Sequence, residues 1–242
     1  VRTPSGGGIA GATVTLNNGG GSATSDASGY YACFVASGWT GRATPAKAGV
    51  TFQPPCIDYP RVTSPQTGQN YAAYVTISGY VRNGGGAGIA GVGLTFSNGG
   101  GTATTDGTGY YEREVQEGWS GTATPGKASY NFNPALRSYA AVSADQPGQN
   151  YTAQAVYIVS GRVRTPSGAA VGGVTVAYAG TFNGGTAYGG SANTNTSGYY
   201  EFGVPGGWTG TASAAKTNYI VTTPAKSYTN VSADMANEDY TA

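Results

Sequence analysis

The chain has 242 residues, with 42 Gly, 19 Tyr, no His, charged side chains at 10% and a formal net charge of +1. So sparse and balanced a charge gives no electrostatic ground for binding nucleic acid or an anionic membrane surface. No apolar run reaches the ~18 residues of a membrane-spanning helix, and the lack of His removes Ser-His-Asp and Cys-His chemistry and most zinc sites. The glycines cluster between short β-favouring runs instead of recurring every third residue, so they read as turn punctuation, not as collagen or disorder.

In chain order, "GIAGATVTL" (8–16) predicts a strand, "NNGGG" (17–21) a hairpin turn, and the run after it the return strand. "TSDASGYY" (24–31) then leads to Trp39 and "ATPAK", and later to "TGQNYAA". The same series restarts 80 residues on. Residues 1–71 lie over 81–151 without a gap, and roughly half the positions are identical. A third copy follows at an offset of 82, with a seven-residue insertion after Tyr178. The middle copy is the most legible. "YVTISGYVR" alternates, with Val75, Ile77, Gly79 and Val81 on one side. "IAGVGLTF", "TATT", "GYYEREV", "GTATP", "SYNFNP", "RSYAAV" and "QNYTAQ" supply further short strands, and no amphipathic helix of ordinary length is present. A repeat near 80 residues is too long for a solenoid turn and long enough for its own core. The expectation is an all-β chain of three tandem antiparallel β-sandwiches of about seven strands, at 1–73, 74–154 and 155–242, forming a semi-rigid rod. The first copy lacks the counterpart of "VTISGY" (75–80), so its opening strand is cut short. With no initiator Met and no signal-like start, the chain reads as a mature or excised piece.

The recurring turn has a physical reading. Asp26, Asp106 and Asn195 each stand two residues before an N–H that their side chains can accept, an Asx-type turn. Gly29, Gly109 and Gly198 supply a backbone geometry that other residues avoid. The Asn in the third copy makes the same turn without charge, which speaks against a metal there. Of each following Tyr pair, one ring faces the core. Tyr30, Tyr110 and Tyr199, with Trp39, Trp119 and Trp208, are taken as the repeated core aromatics.

"ISGYVRNGGGAGIAGVGLTFSNGGGTATTDGTGYYEREV" resembles the carboxypeptidase regulatory-like domains, relatives of the Cna-B and transthyretin-like (prealbumin-like) sandwiches. The resemblance covers essentially the whole chain, three times. It implies a seven-stranded sandwich used as a spacer, stalk or adhesin module of bacterial secreted or surface proteins, and it implies no catalysis. Some Cna-B relatives carry a Lys–Asn cross-link. Here the first strands carry no Lys, Lys47, Lys127 and Lys216 recur elsewhere, and Asp239 replaces the Asn of Asn70 and Asn150, so that pattern is broken.

No carboxylate column is filled in all three copies, as Asp26, Asp106, Asn195 and Pro65, Asp145, Asp234 show. Neither an enzyme nor a cofactor is expected. Cys33 and Cys56 occur only in the first copy, where Arg113 and Leu136 stand in the second. Their joint presence predicts a disulfide, and with it an oxidising, extracellular or cell-surface setting. Sequons stand at Asn150, Asn195 and Asn230. The expected function is a non-catalytic stalk, spacer or fibre subunit. Its partners are copies of itself, joined head to tail by strand addition, or flanking domains of a longer chain. The rival expectation is a carbohydrate-binding or adhesive module, with Tyr178, Phe182 and Tyr188 as sugar contacts.

Overall fold

A computed structural model describes residues 1–223 and 225–242. Among them there are strands and turns and no helix. The first copy contributes β1 (Thr13–Leu16), β2 (Gly21–Thr24), β3 (Trp39–Ala46), β4 (Thr51–Gln53) and β5 (Ile57–Val62). The second contributes β6 (Ala72–Arg82), β7 (Gly93–Phe96), β8 (Gly101–Thr104), β9 (Tyr110–Gln116), β10 (Trp119–Gly126), β11 (Tyr130–Asn133) and β12 (Arg137–Val142). The third contributes β13 (Tyr151–Arg164), β14 (Thr175–Phe182), β15 (Thr186–Asn193), β16 (Tyr199–Pro205), β17 (Trp208–Ala215), β18 (Lys226–Val231) and β19 (Tyr240–Thr241).

The chain divides into two compact units: Val1–Lys127 with Phe132–Ala153, and Ala128–Asn131 with Gln154–Ala242. In the first unit, two four-stranded antiparallel sheets repeat the same order, β2-β1-β3-β5 and β8-β7-β10-β12. β6 pairs antiparallel with β9, from Tyr74↔Gln116 to Tyr80↔Tyr110, and with β4 along Ala72, Ala73 and Tyr74. It also pairs parallel with Tyr151 and Thr152. Ala73, Val75, Ile77, Gly79 and Val81 are buried while the residues between them are half-exposed, which is the period of a strand with one face on a core. In the second unit β15-β14-β17-β18 form one sheet, while β13 pairs antiparallel with β16 and parallel with β19. Val159, Val163, Val174, Val176, Phe202 and Trp208 belong to the core between those sheets.

The hairpins follow from Asn-Gly turns. Asn18 and Asn98 have φ 51° and Gly19 and Gly99 φ 77°, the left-handed pair that a two-residue turn requires. The insertion in the third copy lengthens this hairpin, with unbroken pairing from Thr175↔Asn193 to Phe182↔Thr186. One strand expected from the sequence is absent among the described residues: 30–36, the counterpart of β9, form no strand pairing.

Candidate functional site: the open face of the first repeat

Each recurring side chain can be followed through the three copies. Asp106 Oδ1 accepts from the Thr108 N–H at 2.8 Å, the Thr108 hydroxyl at 2.7 Å and the Tyr110 N–H at 3.0 Å. Asp26 does the same with Ser28 and Tyr30, and Asn195 with Ser197 and Tyr199. The hydroxyl of Thr108 and then its N–H hold the Asp106 carboxyl below its ordinary range. For Asp26 the Ser28 hydroxyl leads, followed by the Tyr30 N–H. Gly109 has φ 78°, and a Cβ on it would run into the Val81 carbonyl oxygen. The turn thus presses the chain against the end of the opening strand.

Four further acid and amide side chains also serve the backbone. Asp145 Oδ1 accepts from the Thr76 N–H and Asn150 Oδ1 from the Tyr80 N–H, at 2.7 and 2.8 Å. In the third copy Asp234 and Asp239 take the N–H groups of Ile158 and Arg162 at 2.8 and 2.7 Å. These side chains clamp the opening strand of their repeat. The first copy keeps one clamp, Asn70, and has Pro65 in place of the other. Lys127 and Lys216 donate to the carbonyls of Ala90 and Gly172, so their heads are bonded to backbone and do not simply reach into water. Among the described residues no group of three or more His, Cys, Asp or Glu is placed to hold a metal ion.

Two expectations need correction. The core Tyr is the second of each pair: Tyr111 and Tyr200 are buried, Tyr110 and Tyr199 half-buried, and Tyr30 is 66% exposed. The first ring of the pair shares the outward face of its strand, where Tyr110 and Tyr199 reach Glu112 and Glu201. Cys33 and Cys56 are free thiols, not a disulfide. Both are half-buried, and burial pushes the Cys33 thiol up. They fill space as small apolar groups, on an unpaired segment and just before β5 respectively, so the argument from a disulfide to an oxidising compartment lapses. In the insertion, Tyr178 stacks on Phe202 at 4.0 Å and Phe182 meets Tyr188 edge-on at 6.1 Å, while Tyr188 stays exposed.

Another repeated aromatic escaped the sequence reading. Tyr71, Tyr151 and Tyr240 are fully buried, and their hydroxyls donate to the carbonyls of Ala43, Ala123 and Ala212 at 3.0, 2.9 and 2.8 Å. The signal was present, since this Tyr column is filled in all three copies while the residues beside it vary.

The copies part at one place. In the second, Val75 and Ile77 of β6 fill the interior beside Tyr111, Val115, Phe96, Trp119 and Val142, and all are buried. In the first, the counterparts Tyr31, Val35, Leu16, Trp39 and Val62 are only half-buried. No strand lies against them, and a groove of about 610 Å³ opens there, lined by these side chains and by Gln69 and Asn70. Among the described residues, no backbone hydrogen bond joins 31–35 to another strand. Phe34, on the outward side of this segment, is 96% exposed. The site is therefore apolar on its floor, with an unpaired backbone edge and Asn70 at its rim. Such an edge is a template for another strand.

No family model matches the chain, and no curated protein matches it. Among solved structures the chain is similar to the Bacillus anthracis TIE protein, at 11% identity and a TM-score of 0.36, over 98% of this chain and 48% of that one. It is similar to a streptococcal ancillary pilin, at 11% identity and TM-score 0.31, over 99% and 94% of the two chains. A third similarity is to the shaft pilin spaA of Lactobacillus rhamnosus GG, at 10% identity and TM-score 0.30, over 70% and 98%. The chain thus spans about half the length of the TIE protein structure.

Proposed function

We propose that this chain is a non-catalytic structural module of an extracellular stalk or surface fibre. Its repeats 1–73, 74–154 and 155–242 act as successive sandwiches, and it joins its neighbours head to tail through a strand added to the open face of the first repeat. The observation that carries this reading is the contrast between 30–36, which lacks a partner, and β9 and β16, which are paired along seven residues each. Supporting it, the recurring acids and amides accept from backbone N–H groups, and the recurring aromatics fill interiors or lie on one another, which leaves architecture as their shared task. The carbohydrate reading draws less support, because Tyr178 and Phe182 lie against other rings of the protein.

The test is a peptide of residues 72–82, AAYVTISGYVR, titrated into the full chain. Saturable binding with slowed amide exchange at 30–36 is the expected result. A peptide with Ser at the positions of Val75 and Ile77 should bind at least about tenfold more weakly, because its inward face no longer matches the floor. Equal binding of both peptides, or unchanged exchange at 30–36, would overturn the strand-addition reading.

A further inference from the structure

The first unit contains a finished joint between two repeats, and that joint is a template for a contact between two chains. Beyond the shared strand β6, the tail loop of the first repeat rests on the head of the second. Lys47 Nζ meets Glu117 Oε1 at 2.5 Å, and Asp145 donates its N–H to the Gly49 carbonyl at 3.0 Å. The Thr51 hydroxyl donates to Glu114 Oε1 at 3.2 Å, and the Gln53 amide to Glu114 Oε2 at 3.3 Å. Glu114 is thus the head residue that receives the tail loop, and Thr51 is the loop residue that touches it.

Register through the repeats finds the equivalents at the two ends of the chain. Glu114 corresponds to Phe34 in the first repeat, and Thr51 to Ile220 in the third. Phe34 is 96% exposed and Ile220 83%, the two most exposed large apolar side chains among the described residues. A polar pair that touches inside the chain is therefore replaced at both ends by apolar residues that are in water. One such replacement would be ordinary surface scatter. Two, at the matching halves of one contact, are a complementary pair.

We propose that a second copy of this chain docks its third-repeat tail loop, 216–222, on the head of the first repeat, burying Ile220 against Phe34 in the geometry of the joint between the first two repeats. This rests on the fibre reading above and names the partner surface. The last strand of the docked copy, Tyr240–Thr241, then heads for the groove as Tyr71–Ala72 leads into the second repeat. Two polar links of the template are not reproduced. Pro65 has no N–H to match that of Asp145, and Ser37 stands where Glu117 would receive Lys216. The contact between copies is accordingly more apolar than the joint within the chain, and weakens less with added salt.

Sedimentation equilibrium of the full chain tests this. Both side chains are exposed, so Phe34→Glu and Ile220→Glu leave the cores untouched, which circular dichroism and thermal melting verify. The wild-type chain is expected to self-associate. Each single variant should associate about tenfold or more weakly, and the double variant Phe34→Glu/Ile220→Lys should recover most of the loss by pairing opposite charges between copies. If the wild type associates and both single variants associate equally well, this contact is wrong while the fibre reading stands. A wild type that stays monomeric at every concentration sinks both.

Discussion

At the scale of single residues, the turn motif makes its own predictions. Asp106 holds three hydrogen bonds in its ionised form, so its folded pKa lies below the ordinary 3.8. A depressed carboxyl contributes stability in full above its unfolded pKa and loses it as pH falls through the folded value. Asp106→Asn should therefore leave stability near neutrality almost unchanged, as Asn195 keeps the same turn in the third repeat, and should flatten the acid limb. Denaturant midpoints recorded from about pH 5 down to about pH 2 check this. Gly109→Ala should be costly, by at least about 1–2 kcal/mol for the left-handed backbone alone, with the collision against the Val81 carbonyl added. The buried tyrosines govern the alkaline side. Burial pushes Tyr31 and Tyr240 up to about 12 from an ordinary 10.0. A raised phenol contributes fully below the unfolded pKa and loses its contribution as pH rises towards the folded one. Unfolding followed by tyrosinate absorbance should accordingly begin above about pH 10, in one cooperative step.

At the scale of elements, β6 and its missing counterpart explain most of what differs between the repeats. β6 contributes Val75 and Ile77, both at 0% exposure, to the interior of the second repeat. Ile77→Ala should cost ~2–5 kcal/mol, read from chemical denaturation. Among the described residues no such strand covers the first repeat, and the prediction there is dynamic. Amides at 31–35 should exchange orders of magnitude faster than those of β9 and β16, because exchange follows the stability of the pairing that covers them. Comparable protection in all three segments would mean that 30–36 is already paired in solution. The joint loop is a second device at this scale. Glu117 is 7% exposed and takes Lys47, itself only partly covered, with its other carboxylate oxygen lacking a partner. Lys47→Met should therefore destabilise more than Lys47→Met combined with Glu117→Leu, since the single change strands a buried charge. A double-mutant cycle in urea measures the difference.

At the scale of the whole molecule, the last strand of the first repeat runs on into the opening strand of the second. β6 makes this passage in the first unit: its beginning pairs with β4 of the first repeat and the rest with β9 of the second. A joint built in this way has no free coil to flex. Supplying the absent strand should therefore act on the molecule as a whole. A fusion placing AAYVTISGY directly before Val1 is expected to bury Trp39, shifting its fluorescence to the blue, to raise the melting temperature of the first repeat and to abolish binding of the free peptide. An unshifted Trp39 emission with peptide binding intact would show that the groove does not select this strand.

The repeats, the all-β class, the hairpin turns and the Asx turns were legible in the sequence, because each rests on local chemistry. Asn-Gly forces one backbone shape, a carboxylate two residues from an N–H finds it, and alternation marks the buried face of a strand. What lay beyond the sequence were facts of distance between remote residues. Which Tyr of "GYY" faces inward depends on strand register against β6 or β13. Whether Cys33 meets Cys56 depends on where an unpaired segment lies. That Phe34 and Ile220 occupy the two halves of one contact emerges only when the joint between the first two repeats is seen in three dimensions. The residue types and their order set the local shape of the chain. The tertiary structure decided which side chains border the open edge, because those contacts join residues many positions apart.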